Sequence, residues 1–515
     1  MAHLDPTKIH IASHAGPAWE TEVTFQDLMA EQLRHAPWFI LSAALHAVAL
    51  LLLWVLIPVD EQRKVEKQFE MVIAEETQVE EPLSPPPPET TPEETTNAVV
   101  VTETTAVAVS EAPAEGFDNV EGDALSKESA FDSNQWSSPL GLGGGAGGPY
   151  GDRGDGGGGK GGKGGQKAYV EAIDAGLQWL KNHQDEDGKW DCDGFMKHDV
   201  EGEVCDGPGN PVHDVGVTGL ALLAFLGDGS TMRGGPYREQ IKKGVQWLRS
   251  QQQENGLFGT SASHDFVYDH AIASYAMCEA FGLSNSQLLR ENAQKGINYL
   301  ESHRNPYSVW RYQPRDNDSD TSVTGWCIMA YESGEYFKLQ VNTEALKICA
   351  SWLDQVSDAT GRHGYSKAGQ PSSRKPGDHG TRFPADKSEA MTAVGLFCRF
   401  FMGQDPKDKP IMKSAADLIL SKPPIWDVKG GSIDPYYWYY ATYALFQMGG
   451  RHWTEWQKKL ETAVVKTQHT DRTKKNLFGS WDPLGAWGED GGRVYSTAIL
   501  VLTLEAYYRY SKLVR

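Results

Sequence analysis

The sequence predicts an all-α protein: a single α6/α6 toroid of two concentric helix rings, preceded by one transmembrane helix and a disordered linker rich in proline and then glycine. Three observations predict it. A motif of helix, glycine turn and closing aromatic recurs from residue 176 onward. Each copy is followed by a second helix that is apolar on most faces, as buried helices are. An uncharged run, WFILSAALHAVALLLLWVLIPV, extends from Trp38 to Val59 and is long enough to cross a bilayer.

Residues 1–36 are polar and of mixed charge, and 37–59 form the expected span. No small-residue cleavage site follows it; Asp60, Glu61, Arg63 and Lys64 do, so it reads as a retained anchor and not a signal peptide. Trp38 and Trp54 suit the membrane interfaces. Arg63, Lys64 and Lys67 after the span outnumber Arg34 before it, which by charge alone favours a cytoplasmic C-terminal side. Ser42 and His46 lie four apart and share one helix face. An ionisable group inside a membrane is costly and marks a function; the alternative is a shallow His46 that reaches the interface. RHAPWFILSAALHAV, followed by EEPLSPPPPETTPEETT, resembles the anchor and spacer of TonB-type energy transducers. The resemblance covers the first hundred or so residues. It implies that Ser42 and His46 contact a proton-driven motor complex. It also implies a cytoplasmic N-terminus, against the charge count, with the C-terminal domain outside the inner (cytoplasmic) membrane. No C-terminal TonB fold follows.

Residues 60–166 read as a linker. Lys127 is the lone basic residue between Lys67 and Arg153, and such a like-charged, polar stretch buries no core. Pro85 to Pro88 form a polyproline segment. GLGGGAGGPYGDRGDGGGGKGGKGG, at 141–165, is a flexible glycine tether. It lacks the flanking strand and helix of a phosphate loop, so it is not a nucleotide site. With 48 Lys and Arg against 69 Asp and Glu, a net charge of −21 argues against nucleic-acid binding. Six cysteines without a CxxC pair exclude a disulfide-dense scaffold and weaken a structural zinc reading. No cofactor is indicated.

The domain 167–515 carries the repeats. GLQWLKNHQDEDGKW (176–190) and GVQWLRSQQQENGLF (244–258) fit G-x-x-W-L-x3-Q-x3-G-x-aromatic. GINYLESHRNPYSVW (296–310) replaces Gln by Arg304 and Gly by Ser308. ASWLDQVSDATGRHGY, ending at Tyr365, is weaker, and Leu418–Trp426 and Gln468–Trp481 are degenerate. The aromatic-Leu pair should pack inward. The apolar helices that follow begin near Asp214, Tyr268, Asp320, Glu389, Tyr436 and Val494. The repeat resembles the QW motif of squalene and other terpenoid cyclases and that of protein prenyltransferase β subunits. That resemblance implies the fold and not a chemistry.

In such barrels the cavity opens where inner helices begin. The candidate ligand-binding residues are therefore His213, Asp214, Tyr268, Asp269, His270, Glu389, Asp434, Tyr436 and Tyr495. Helix capping alone also accounts for Asp214, Asp320 and Glu389. Asp316, Asp318 and Asp320 are the candidate catalytic acids, three carboxylates in five residues able to raise one another's pKa. DNDSDTSVTGW, from Asp316, is the stretch here nearest to the DxDD of class II cyclases: aligned on its DT the acid falls on Ser319, and aligned on the first two acids it is Asp318, with Ser319 in place of its neighbour. DFVYDHAIASYAM resembles the histidine segment of prenyltransferases, with His270 as ligand, yet no Asp-x-Cys partner follows and no metal set is assigned. GCGEQ, needed by thioester toroids, is absent. YYWYY (436–440) reads as a glycan platform beside Asp434 or, alternatively, as core. Cys192 and Cys205 flank an acidic loop as a disulfide or as two thiols, and the loop fits no EF-hand.

Two functions follow as expectations. The first is a membrane-anchored envelope protein presenting a ligand-binding or scaffold domain, coupled to a motor. The alternative is an enzyme acting on isoprenoids or glycans through acids at the barrel mouth.

Overall fold

A computed structural model describes residues 167–509, except 201 and 203; of Tyr508 only the backbone is described. The expected anchor and linker, with Ser42 and His46, lie outside the described residues. Among the described residues no strand forms, and no helix is long and apolar enough to cross a membrane.

Helices of two kinds alternate. The outer set is α1 (Lys167–Asn182), α3 (Arg238–Gln251), α5 (Arg290–His303), α7 (Thr343–Gln355), α9 (Ile411–Leu420) and α11 (Gly450–Ala463). The inner set is α2 (Asp214–Gly227), α4 (Phe266–Ser284), α6 (Thr321–Tyr336), α8 (Ala390–Phe401), α10 (Pro435–Met448) and α12 (Gly488–Leu504). The two sets differ as the sequence requires. In α3 the buried residues are Ile241, Gly244, Val245 and Leu248, the stripe of a one-sided helix. In α2 every residue after Asp214 is buried. The inner helices pack in chain order, α2 on α4 through to α10 on α12, and α12 packs back on α2. Each of α1, α3, α5, α7 and α9 lies over the groove between two inner helices. The described residues thus form an α/α toroid.

The repeat motif is the joint of this ring. The turn glycines Gly188, Gly256 and Gly479 have φ of +105°, +94° and +94°, a region that side chains disfavour. A Cβ on them would lie 2.2, 2.2 and 2.1 Å from the carbonyl oxygens of Lys243, Lys295 and Ala175, each on the next outer helix. The motif glutamine spans the same contact. Gln184 Nε2 donates to Gly188 O and to Gln240 O of α3, at 2.8 and 2.9 Å. Gln252 repeats this with Gly256 O and Asn292 O of α5. Gln468, in the degenerate last copy, donates to Gly479 O and to Ala172 O of α1, both at 2.8 Å, and so ties the last repeat to the first.

The closing aromatics cap the outer helices. The indoles of Trp190 and Trp310 donate to Leu180 O and Leu300 O at 2.7 Å, and that of Trp481 to Val464 O at 2.8 Å. These carbonyls sit at helix C-termini and each also accepts one backbone N–H, from His183, Arg304 and Thr467, so the indole takes the second acceptor site. The backbone N–H groups of the same tryptophans donate to Thr218, Thr324 and Thr497 of the inner helices.

The motif tryptophans differ from the expectation. Trp179 is buried, stacked on His183 and edge-on to Phe195 of the following loop. Trp247 is half-buried, because it lies off the α3 stripe. Trp179→Ala should therefore cost about 3–5 kcal/mol and Trp247→Ala clearly less. Gly479→Ala should lower stability by more than about 2 kcal/mol through strain and overlap. Gln468→Ala should cost about 1–3 kcal/mol by removing two buried hydrogen bonds across the joint, while the exposed Gln178→Ala stays within about 0.5 kcal/mol. Chemical denaturation of the four variants measures the order.

Candidate functional site

A cavity of about 520 Å³ lies at the starts of the inner helices. Its deeper wall is apolar and aromatic, with Val217 and Leu220 of α2, Ile272 of α4, Trp326 of α6 and Met391 of α8. Tyr436 and Tyr495 add phenol hydroxyls that find no hydrogen-bond partner within the protein. The 366–389 segment bends over the mouth, and Arg374 and Lys375 line it. Contacts with the start of α12 hold that segment: Lys375 pairs with Asp490, Arg382 with Glu489 at 2.5 Å, and His379 Nε2 meets Ala486 O at 2.6 Å.

His213 and Asp269 form the cavity's acid–base pair. His213 ends a 3-10 turn, Pro211–His213, that leads into α2. Its Nδ1 lies 3.0 Å from Asp269 Oδ2, and its Nε2 lies 3.9 Å from Asp265 Oδ2. Gly216 makes the approach possible, since a Cβ there would lie 2.2 Å from Asp269 Oδ1. Burial pushes Asp269 up to about 6, even against the pull of His213. Burial alone would lower His213, but the hydrogen bond and charge of Asp269 raise it above its ordinary 6.5. Two titratable groups, each raised above its ordinary value, therefore share one hydrogen bond in a cavity.

Also on the cavity wall, Arg311 lies between the rings of Tyr312 and Tyr365, 5.4 and 5.3 Å from their centroids. The Tyr312 and Tyr365 hydroxyls meet at 2.7 Å, and Tyr268 bonds Ser322. Asp320 stands behind Ser322, fully buried. Its Oδ1 accepts from Val323 N and Ser322 Oγ, both at 2.8 Å, as the cap of α6. Its Oδ2 is unpartnered, 3.7 Å from Arg311 Nε. Burial raises it to about 6 despite those bonds.

The structure brings His213, Tyr268, Asp269, Tyr436 and Tyr495 to one cavity and leaves the other predicted residues outside its lining. Asp316 and Asp318 are exposed; Asp318 pairs with Arg311, and Asp316 accepts from Asp318 N at 2.9 Å. The three acids therefore form no carboxylate cluster facing the cavity. Asp214 accepts from Lys189 and from Cys192 N, at 2.7 and 2.8 Å, and braces the first repeat turn. His270 is core: Nδ1 accepts from Phe258 N at 3.0 Å, and Nε2 faces Gly296 O and Ser274 Oγ at 3.2 and 3.3 Å. Burial lowers it to about 3. Both nitrogens are engaged, so it is not free to ligate a metal. Glu389 takes Arg362 in a bidentate pair and Thr392 at 2.9 Å. Asp434 caps α10 through Tyr437 N at 3.1 Å. Of the YYWYY run, Tyr436 lines the cavity and the next four residues are core, because consecutive residues of a helix point to different faces. Cys192 and Cys205 are separate buried thiols.

Sequence reasoning missed Arg311, Tyr312, Arg374, Lys375 and Trp487, which line the cavity from loops. Tyr365 carried a signal, as the closing aromatic of the fourth repeat.

No family model and no curated protein sequence matches the chain. Among solved structures 49 chains match. An α-1,6-mannanase from Salegentibacter sp. is 10% identical, with 66% of this chain and 99% of that one covered and a TM-score of 0.45. A type II terpene cyclase from Scytonema is 14% identical, covering 66% and 97% with a TM-score of 0.43. An unsaturated glucuronyl hydrolase specific for heparin is 14% identical, covering 68% and 100% with a TM-score of 0.46.

The raised carboxyl of Asp320 has a stability consequence. A carboxyl whose folded pKa lies near 6 stabilises the fold while protonated. That contribution is complete below about pH 4 and is lost as the pH rises through 6. Asp320→Asn keeps a capping oxygen and removes the buried charge. It should exceed wild-type stability by about 1–3 kcal/mol near pH 7 and lose the advantage below about pH 4, as thermal melts at the two pH values will show.

Proposed function

We propose that this chain is an acid–base enzyme acting on a neutral glycan, with His213 as the proton-transferring residue. The single observation that carries the reading is the His213–Asp269 pair, with His213 Nδ1 held at 3.0 Å, on the wall of a cavity that Tyr436 and Tyr495 also line. Asp269 orients the ring and holds its Nδ1 proton, which leaves Nε2 to take or give a proton at the ligand. The rings of Tyr436, Tyr495, Trp487 and Tyr312 line the wall and offer aromatic surface to sugar rings. The charged residues on the wall balance: Arg311, Arg374 and Lys375 against Asp265, Asp269 and Asp490. Such a wall favours an uncharged ligand over an anionic one.

A second reading, an isoprenoid substrate, is favoured by the apolar stretch of Val217, Leu220, Ile272 and Met391. The remaining parts of the proposal rest on the sequence: a single α6/α6 toroid, held outside the cytoplasmic membrane by the 37–59 span, with Ser42 and His46 turned toward a motor complex.

Full-length protein in detergent, offered neutral oligosaccharides and isoprenoid alcohols and diphosphates, should convert an oligosaccharide by mass spectrometry. His213→Gln should lower the rate by about 10²–10⁴-fold with the melting temperature within a few degrees of wild type. Conversion of an isoprenoid selects the second reading. Binding without conversion returns the domain to a ligand-binding scaffold.

The pH profile gives an independent check. If neutral His213 is the base, kcat/KM should fall on the acid side with an apparent pKa above 6.5, because Asp269 raises it. Asp269→Asn should move that limb to lower pH as well as slow the reaction. An acid limb that stays in place in this variant rules out the pair.

A further inference from the structure

Away from the central cavity, the end of α1 and the loop after it bring together a histidine, a carboxylate and a thiol. A ring nitrogen of His183, a carboxylate oxygen of Asp199 and the Sγ of Cys205 all lie within 4.8 Å of one another. His183 is 3% exposed and its Nε2 has no hydrogen-bond partner; the Asp199 Oδ1 has none either. These two atoms stand 3.6 Å apart. Zinc holds nitrogen, oxygen and sulfur ligands at about 2.0–2.3 Å, which separates neighbouring tetrahedral ligands by about 3.3–3.8 Å.

The surroundings fix the ligand atoms. His183 Nδ1 donates to Trp179 O at 2.8 Å, which leaves the lone pair on Nε2, the arrangement seen around metal-bound imidazoles. Trp179 stacks on the ring with centroids 4.1 Å apart, and Phe195 meets it edge-on. The other oxygen of Asp199 accepts from Cys205 N at 2.7 Å, which sets the thiol beside the free oxygen. His183 also lines a second cavity, with His198, Arg472, Lys475 and Asn476.

We propose that His183, Asp199 and Cys205 bind a zinc ion, with water from the adjoining cavity in the fourth position. On binding, the Cys205 thiol gives its proton to solvent and the thiolate and carboxylate together balance the two charges of the ion. The site is at the C-terminus of an outer helix, its three residues are outside the lining of the central cavity, and it is independent of the His213 chemistry. It ties the loop after α1 to the first repeat.

Full-length protein, stripped with a chelator and titrated with Co²⁺, should take up ions with a thiolate-to-cobalt charge-transfer band that saturates at one equivalent and that Zn²⁺ displaces. Cys205→Ser and His183→Ala should abolish the band and weaken zinc affinity by at least about 100-fold. Asp199→Asn, nearly isosteric, should weaken it with unchanged far-UV circular dichroism. Cys192→Ser should keep the band. Binding without the band would place the ion elsewhere, for example among Asp191, Asp193 and Asp214, and would overturn the proposal. So would a band that survives Cys205→Ser, or a Cys192–Cys205 disulfide in the peptide map.

Discussion

The structure depends on one close contact, made at Gly188, Gly256 and Gly479: a left-handed glycine turn pressed against the backbone of the next outer helix. A side chain cannot occupy that space, as the 2.1 Å approach of a Gly479 Cβ to Ala175 O makes plain. The contact fixes the offset between neighbouring outer helices, and the glutamine bonds and indole caps hold it there. An identical offset repeated around a chain has to curve, and here the curve closes when Gln468 reaches Ala172. Where the motif decays, substitutes serve. Arg304 replaces the glutamine and donates to Asn305 O and Ser308 O, both at 3.0 Å, while pairing with Glu301.

Closure has consequences at both ends of the inner ring. At the C-terminal ends, Arg509 is fully buried and bonds Leu223 O, Glu279 and Glu505. A buried charge group of this kind is maintained by its mutual pairing and is costly to break at any one member. At the N-terminal ends the inner helices leave a cavity, and the first turns of several helices supply its wall. Two long-range relations then make the chemistry: Asp269 of α4 reaches His213 before α2, and Asp490 of α12 reaches Lys375 of the covering segment. Burial raises Asp269 and Asp320 toward neutrality, because a carboxylate removed from water loses its hydration.

The sequence by itself determined the alternation of one-sided and fully apolar helices, the glycine turns and the closing aromatics. Each of these is written in local spacing: the α3 stripe and the fully apolar α2 both follow from which residues recur at helical period. It also pointed to the starts of the inner helices, where the cavity lies. Tertiary structure decided which of those polar residues face the cavity. Neighbours in sequence turn to different sides: His213, ending the 3-10 turn, lines the cavity while Asp214, the first residue of α2, turns to Lys189. Tyr436 likewise lines the wall and Tyr437 enters the core. The register between rings, and not the residue type, makes that choice. The same holds for Arg374, brought over the mouth by contacts to residues about a hundred positions later, and for Cys205, whose histidine and carboxylate neighbours come from α1 and its loop. Such juxtapositions depend on how the ring closes, which no local spacing encodes.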